Sequence, residues 1–280
     1  MKGHSIGLLH PGDMGATIGA AAVSTGHKVH WAAADRSPAT RQRADQAGLI
    51  GVNTLADICN VADVIISVCP PHGAVTLATQ VAACGFSGQY LDANAISPAR
   101  SEEVHKALGN GIDYIDGGII GPPARKSGST RLYLSGPSAA AISTLFSGSV
   151  LEAIPLEGKL TSASALKICY AAWTKGYAAM LSNIRALARH EQVEDALLQE
   201  WNLSQAGLRE KSDIRSTESA HKAWRWIAEM HEIADSFEAA QLPDGFHRAS
   251  AEVYRRLESF KDVQTTPEMN EIIEHLLKDV

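Results

Sequence analysis

The stretch Ser5-Ile6-Gly7-Leu8-Leu9-His10-Pro11-Gly12-Asp13-Met14-Gly15 decides how this chain is read. Its apolar start has the length of a buried strand, and Pro11-Gly12 breaks it just before a small-residue run over 14–24 that reads as a helix. A strand that turns at once into a helix N-terminus gathers free backbone N–H groups and partial positive charge at one point, and small residues let a phosphate approach it. Gly12 and Gly15 take the second and third glycine positions of G-x-G-x-x-G, the pattern of dinucleotide-binding turns, while His10 stands in place of the first. A generic strand-to-helix turn carries many of the same residues, so the neighbouring sequence has to decide.

Downstream, apolar runs at 28–32, 64–68, 90–93, 114–116 and 131–135 join 5–9 as strands, and 38–47 and 97–108 join 14–24 as helices. Gly26, Gly48, Pro70-Pro71, Gly88 and Gly117-Gly118 read as the turns between them. Alternating strands and helices predict β-α-β units and an α/β Rossmann domain with a parallel, doubly wound sheet over 1–157. Past Gly158 the strand-like runs stop, and Ala, Leu, Glu and Arg dominate, which predicts an all-α domain over 158–280. There 162–192 reads as one helix of about 45 Å at 1.5 Å per residue. A second helix is predicted over 221–240, with Trp226, Ile227, Met230, Ile233 and Phe237 on its core face and His221, Trp224 and His231 on another.

The 280 residues are 45% hydrophobic and 20% charged, with a net charge of −6, which gives no attraction to nucleic acid or to an anionic membrane. No apolar run approaches the ~18 residues of a membrane span and no signal-peptide pattern opens the chain, so a cytoplasmic protein is expected. Cys59, Cys69, Cys84 and Cys169 lack C-x-x-C spacing and are expected to be buried thiols. The eleven histidines form no H-E-x-x-H pattern, and no metal is expected.

At the end of the second strand, an acid selects NAD through its ribose hydroxyls and an arginine accommodates the 2′-phosphate of NADP. Asp35-Arg36-Ser37-Pro38 offers both. The preference falls on NADP, because Arg36 and Ser37 together supply phosphate donors, with Asp35 left either to cap the next helix or to face water.

The strand-turn-helix start, Arg36-Ser37-Pro38, Val68-Cys69-Pro70-Pro71 and Asp92-Ala93-Asn94-Ala95-Ile96-Ser97-Pro98, taken in order, resemble the β-hydroxyacid dehydrogenase superfamily. This superfamily includes 6-phosphogluconate dehydrogenase, 3-hydroxyisobutyrate dehydrogenase and the imine reductases. The resemblance covers roughly the first 180 residues; the segment around Trp224-Arg225-Trp226 looks like a branch whose C-terminal domain has no known function. It implies a Rossmann domain, a helical second domain, an active site between them and commonly a homodimer. Carried over by position, it places the dinucleotide turn at His10, Pro11, Gly12, Asp13, Met14 and Gly15, the adenosine ribose near Arg36 and Ser37, and the nicotinamide near Cys69, Pro70 and Asn94. The catalytic lysine is then Lys167, and the substrate loop is Ile120, Gly121 and Pro122. Ala171 stands where the family has an asparagine, and Ile120-Gly121-Pro122 where it has serine-glycine-glycine. Both departures remove groups that would hold a hydroxyacid.

Hydride transfer to a carbonyl or iminium leaves a heteroatom that needs a proton or positive charge, and the protein has to supply it. By helical spacing Lys167, Tyr170, Ala171 and Thr174 share one stripe, which makes Lys167 the candidate general acid, Tyr170 its relay and Thr174 a neighbouring hydroxyl. The plain alternative is a solvated Lys167 and a core Tyr170. Lys175 projects away from that stripe and reads as a surface charge. Arg125, Lys126 and Arg131 follow the substrate loop and either meet an anionic substrate or face water. Trp224 and His231 either complete the pocket or make a dimer contact, and His247 has no stronger claim. The expected activity is an NADP-dependent oxidoreductase acting on a small oxo, hydroxy or imine compound; the competing expectation is a non-catalytic NADP-binding sensor or scaffold.

Overall fold

The computed structural model of the chain describes residues 3–263 and 265–278. They fall into two compact units, one ending at Lys167 and the other starting at Ile168. In the first unit the chain forms β1 (Ser5–Leu9), α1 (Asp13–Ser24), β2 (Lys28–Ala32), α2 (Pro38–Gln46), β3 (Ile50–Val52), α3 (Leu55–Val61) and β4 (Val64–Ser67). It continues with α4 (Ala74–Ala83), β5 (Gln89–Asp92), α5 (Pro98–Leu108), β6 (Asp113–Ile120), β7 (Arg131–Ser135), α6 (Ala139–Ser143) and β8 (Glu152–Pro155). The unit closes within the first turns of α7 (Ser162–His190).

The eight strands make one sheet in the order β3-β2-β1-β4-β5-β6-β7-β8. Strands β1 to β6 pair in parallel, β7 runs antiparallel to β6, and β8 is parallel to β7. The order 3-2-1-4-5-6 is that of a doubly wound dinucleotide-binding fold. Helices cover both faces, so the central strands are buried on both sides and read as continuous apolar runs rather than as an alternation. Ile6, Leu8, Val64 and Ile66 pack on one face with α1 and α6, whereas Leu9, Ile65, Tyr90 and Tyr114 pack on the other with α3, α4 and α5.

The structure corrects one turn. Gly117 and Gly118 lie inside β6, which runs on to Ile120. Glycine is needed at Gly118 for close approach: a Cβ there would stand 2.5 Å from the carbonyl oxygen of Ala163 and 3.3 Å from Cβ of Lys167. The α7 start is held against β6 by a buried carboxylate. Asp116 accepts hydrogen bonds from the Ser164 N–H (2.7 Å), the Ser164 hydroxyl (2.5 Å), the Ser101 hydroxyl (2.9 Å) and the Ser135 hydroxyl (3.2 Å). An anion at a helix N-terminus is favoured by the axial dipole, and these donors offset the desolvation of the carboxylate. Strands β3 and β8 escape sequence reading because they are short edge strands with little burial to impose a pattern.

The second unit holds the remainder of α7 with α8 (Glu194–Ser204), α9 (Leu208–Ala220), α10 (Ala223–Ala239), α11 (Gly245–Arg256) and α12 (Met269–Leu277). Its core joins Met230 and Ile233 of α10 to Tyr254, Ile272 and Ile273, with Trp226, Ile227 and Phe237 packed against it, so the predicted core face of α10 is the observed one. Among the described residues no helix is long and apolar enough to cross a membrane. The cysteines depart from expectation: Cys59, Cys69 and Cys84 are half-buried and Cys169 is exposed.

Lys175 is also corrected. It is 8% exposed, pairs with Glu229 of α10, and has its ammonium 5.5 Å from the Trp226 ring centroid. Its backbone carbonyl accepts the Tyr254 hydroxyl at 2.7 Å. Helical angle alone did not reveal that α10 and α11 cover this side of α7. Replacing Lys175 by Ala leaves Glu229 largely buried without its partner, and urea unfolding is expected to show a loss of about 3 kcal/mol. The double replacement Lys175→Met with Glu229→Leu is expected to recover most of it. A loss below about 1 kcal/mol for Lys175→Ala would mean that the pair is screened like a surface one.

Candidate active site

The turn after β1 is built by His10, whose backbone takes a left-handed φ of 67°. The chain doubles back so that the Gly12 N–H donates to the His10 carbonyl at 2.8 Å. Gly15 then passes beneath: a side chain there would collide with the His10 carbonyl oxygen and stand 3.5 Å from Cβ of Val68. Gly12, in extended conformation, opens α1 and has no side chain to cap it, so the first-turn N–H groups of Asp13, Met14 and Gly15 are presented at the carboxyl edge of the sheet. Asp13 places a carboxylate near this positive end, and Arg125 pairs with it at 2.5 Å. The same loop donates the Ala124 N–H to the Thr17 hydroxyl at 3.0 Å, so the segment after β6 is docked on α1.

Between the ends of β1 and β2 lies a cavity of about 260 Å³ lined by residues including His10, Arg36, Asn53, Thr54, Leu77 and Gln80. Burial and the Arg36 charge both hold the His10 imidazole below its ordinary pKa, which keeps the ring neutral. Ser37 is the N-cap of α2, accepting the Thr40 N–H at 3.3 Å, and Asp35 is exposed at φ 55°. The cap of α2 is therefore Ser37 and not Asp35, and it uses the serine oxygen as acceptor.

At the exits of β4 and β5, Asn94 braces the two strands. Its Oδ1 accepts the Cys69 N–H (2.5 Å) and its Nδ2 donates to the Ser67 hydroxyl (3.1 Å). The structure therefore brings Cys69 and Asn94 together, with Pro70 exposed beside them. Burial pushes the Cys69 thiol up to about 11, so it is a neutral group and no nucleophile at neutral pH.

Lys167 lies against Gly118 of β6. Because Asp116 is in register with the last residue of β5, Asp92, Gly118 lies beyond the end of β5, on the same carboxyl edge as Cys69 and Asn94. Ile120 is buried at the end of β6, while Gly121 and Pro122 are exposed; the Pro122 carbonyl accepts the Thr130 hydroxyl at 2.6 Å, which closes that loop. Along α7 Tyr170 is exposed, Ala171 is buried, and the Thr174 hydroxyl donates to the Tyr170 carbonyl at 3.1 Å. Thr174 thus spends its one hydrogen on the helix. On α10 Trp224 is exposed with the Lys261 ammonium 4.4 Å from its ring centroid, and His231 is exposed.

Two buried carboxylates, Asp92 and Asp116, belong to this edge and were not singled out by sequence reading. Burial pushes Asp116 up, and its serine donors pull it back. Asp92 is raised further, to about 7, first by burial and also by the charge of Asp116, against the pull of its bond from the Asn94 N–H (2.9 Å). Its Oδ2 has no hydrogen-bond partner among the described residues.

A dinucleotide fits what these residues present: an uncapped helix end at a glycine, a cavity beside it with a guanidinium in its wall, and a lysine at the next strand exits. The family comparisons agree. Residues 5–154 match the NAD binding domain of 6-phosphogluconate dehydrogenase, and residues 188–257 match a domain of unknown function, DUF1932. The chain belongs to the family of 6-phosphogluconate dehydrogenase NAD-binding domains, with a C-terminal segment of the DUF1932 type. An uncharacterized 28.5 kDa protein of Methanothermus fervidus is 27% identical over 169 residues, which are 59% of this chain and 63% of that protein. The conserved protein MTH1747, of unknown function and described as similar to 3-hydroxyacid dehydrogenases, superposes with TM-score 0.71 at 24% identity, over 92% of this chain and 98% of its own. The 3-hydroxyisobutyrate dehydrogenase of Mycobacterium tuberculosis superposes with TM-score 0.73 at 17% identity, over 99% of this chain and all of its own. At these identities the two structures establish a shared fold.

The buried Asp92 predicts a pH dependence of stability. Its folded pKa of about 7 lies above its ordinary 3.8, so the folded state keeps a proton that the unfolded state releases. Stability therefore falls as pH rises between those values and levels off above pH 7. Between pH 5 and pH 7, Asp92→Asn is expected to gain about 2 kcal/mol relative to the wild type in chemical unfolding. Parallel stability curves for the two proteins would show that Asp92 is not held protonated.

Proposed function

We propose that the protein is an NADP(H)-dependent oxidoreductase acting on a carbonyl, alcohol or imine carbon of a small substrate, with Lys167 as its general acid and base. The observation that carries this reading is the position of Lys167 on the carboxyl edge of the sheet, against β6 just beyond the end of β5 and on the side to which the α1 N-terminus points. A bound nicotinamide supplies or accepts the hydride. The chain's own residues do the rest. The first-turn N–H groups of α1 hold the pyrophosphate, with Arg125 neutralising Asp13 so that this carboxylate does not repel it. Arg36 takes the phosphate of the adenosine ribose. Asn94, which fixes the Cys69 backbone, would hold the nicotinamide side of the cofactor together with Cys69 and Pro70. Lys167 donates a proton to the heteroatom in reduction and takes it back in oxidation, or stabilises its charge. On the same helix, Tyr170 carries an exposed phenol one turn on, to which we assign the relay of that proton.

Without the family's serine and asparagine, the site offers fewer contacts to a carboxylate and hydroxyl, which favours a substrate with little oxygen to recognise, an imine among them. Ile120, Gly121 and Pro122 are assigned to the substrate loop, and Trp224 and His231 to its surroundings.

The partner is a second copy of the chain. Within the second unit α7 exposes Trp173 (65%), Met180 (50%), Ile184 (38%) and Leu187 (61%), with Tyr177 stacked on Trp173 at 4.9 Å. Positions 173, 177, 180, 184 and 187 alternate steps of four and three, the spacing of a helix seam that packs against its own copy. Sedimentation of the wild type is expected to give a dimer and Leu187→Glu a monomer; a monomeric wild type would remove the homodimer.

The enzymatic reading is tested by following NADPH oxidation against a panel of oxo acids, aldehydes and cyclic imines. At least one class is expected to turn over, and Lys167→Ala is expected to lower kcat by about a hundredfold or more with nucleotide affinity retained. Tight NADPH binding with every class inert and Lys167→Ala indistinguishable would favour a nucleotide sensor instead.

A further inference from the structure

His10 stands where a dinucleotide turn asks for glycine, and it adopts a backbone angle that glycine reaches at no strain, φ 67°. A bulky residue kept at such a position calls for a use. Its ring lines the 260 Å³ cavity together with Arg36, and its Nδ1 is sealed from water with no hydrogen-bond partner among the described residues. With no acceptor beside Nδ1, the hydrogen of the neutral imidazole belongs on Nε2. Arg36 reaches the same cavity from the end of β2, whereas Asn53, Thr54 and Gln80 contribute neutral polar groups. Among the described residues that line it there is no carboxylate, and Asp35, next in sequence to Arg36, is exposed and outside the lining. A site built for a free ribose hydroxyl places an acid here; this one places a cation and a neutral donor at neighbouring strand ends.

Resting on the NADP(H) reading above, we propose that His10 is a specificity-determining residue, donating from Nε2 to the 2′-phosphate that Arg36 neutralises. The bond is charge-assisted at the acceptor, so its loss falls on the phosphorylated nucleotide and hardly on its unphosphorylated form.

The test is equilibrium binding of NADPH and NADH to the full chain, read by nucleotide fluorescence, for the wild type, His10→Gly and His10→Asn. Glycine suits the left-handed backbone and asparagine tolerates it while keeping a neutral donor, so both variants preserve the turn; circular dichroism checks that they do. The wild type is expected to prefer NADPH, His10→Gly to lose that preference by about tenfold or more, and His10→Asn to keep it within about threefold. If both nucleotides bind and His10→Gly leaves their affinity ratio unchanged, or weakens both alike, the assignment to His10 is wrong while the oxidoreductase reading stands. If neither nucleotide saturates the folded wild type, that reading falls and takes this assignment with it.

Discussion

The first unit depends on one close approach: the left-handed turn at His10 that lets Gly15 slide under its carbonyl and leaves the start of α1 bare. A side chain at Gly15 would push the helix off β1, and a capping side chain at Gly12 would fill the N–H groups that the turn exposes. Both the packing of α1 on the sheet and the chance of holding an anion follow from the same few atoms. A backbone that presents unpaired donors is costly when buried and empty, which is why such turns lie at the rim of the sheet, where water or an anion can satisfy them.

The second constraint is electrostatic. Asp116, buried in β6, gathers donors from Ser101, Ser135 and Ser164, that is, from α5, β7 and the first turn of α7. The carboxylate thereby ties three segments far apart in sequence, and Gly118, two positions on, removes the side chain that would keep α7 at a distance. Together they set where Lys167 stands relative to the strand exits. Asp92 is the counterpart that is left partly unsatisfied, and the two carboxylates share the low-dielectric rim, each making the other's ionisation harder. A rim with this much buried polarity is retained at some expense in stability, as functional sites commonly are.

Much of this was legible in the sequence. The central strands announced themselves because burial on both faces makes them uninterrupted apolar runs, and the core face of α10 because Met230 and Ile233 repeat at helical spacing. The tight turn from β1 into α1 was readable from Gly12 and Gly15 despite His10, since the flanking strand and helix supply the context. What escaped has a common cause: pairing between distant segments. Gly117-Gly118 has the composition of a turn, and only the arrival of α7 makes it a point of close approach inside a strand. Asp92 and Asp116 look like ordinary strand-end acids until residues 94, 101, 135 and 164 surround them. Lys175 was assigned to the surface from its angle on α7, an angle that says nothing about whether α10 lies there. Ser37 has a further, local role that the phosphate reading did not include: its oxygen accepts the Thr40 N–H and starts α2.

The central claim is that the turn between β1 and α1 binds a dinucleotide phosphate group through its backbone. Hydrogen exchange of the full chain, with and without saturating NADPH, addresses those N–H groups directly. The account predicts slowed exchange concentrated at residues 12–16, with a second protected segment at 36–37. Unchanged exchange in both segments at concentrations that saturate the protein by an independent signal would contradict it.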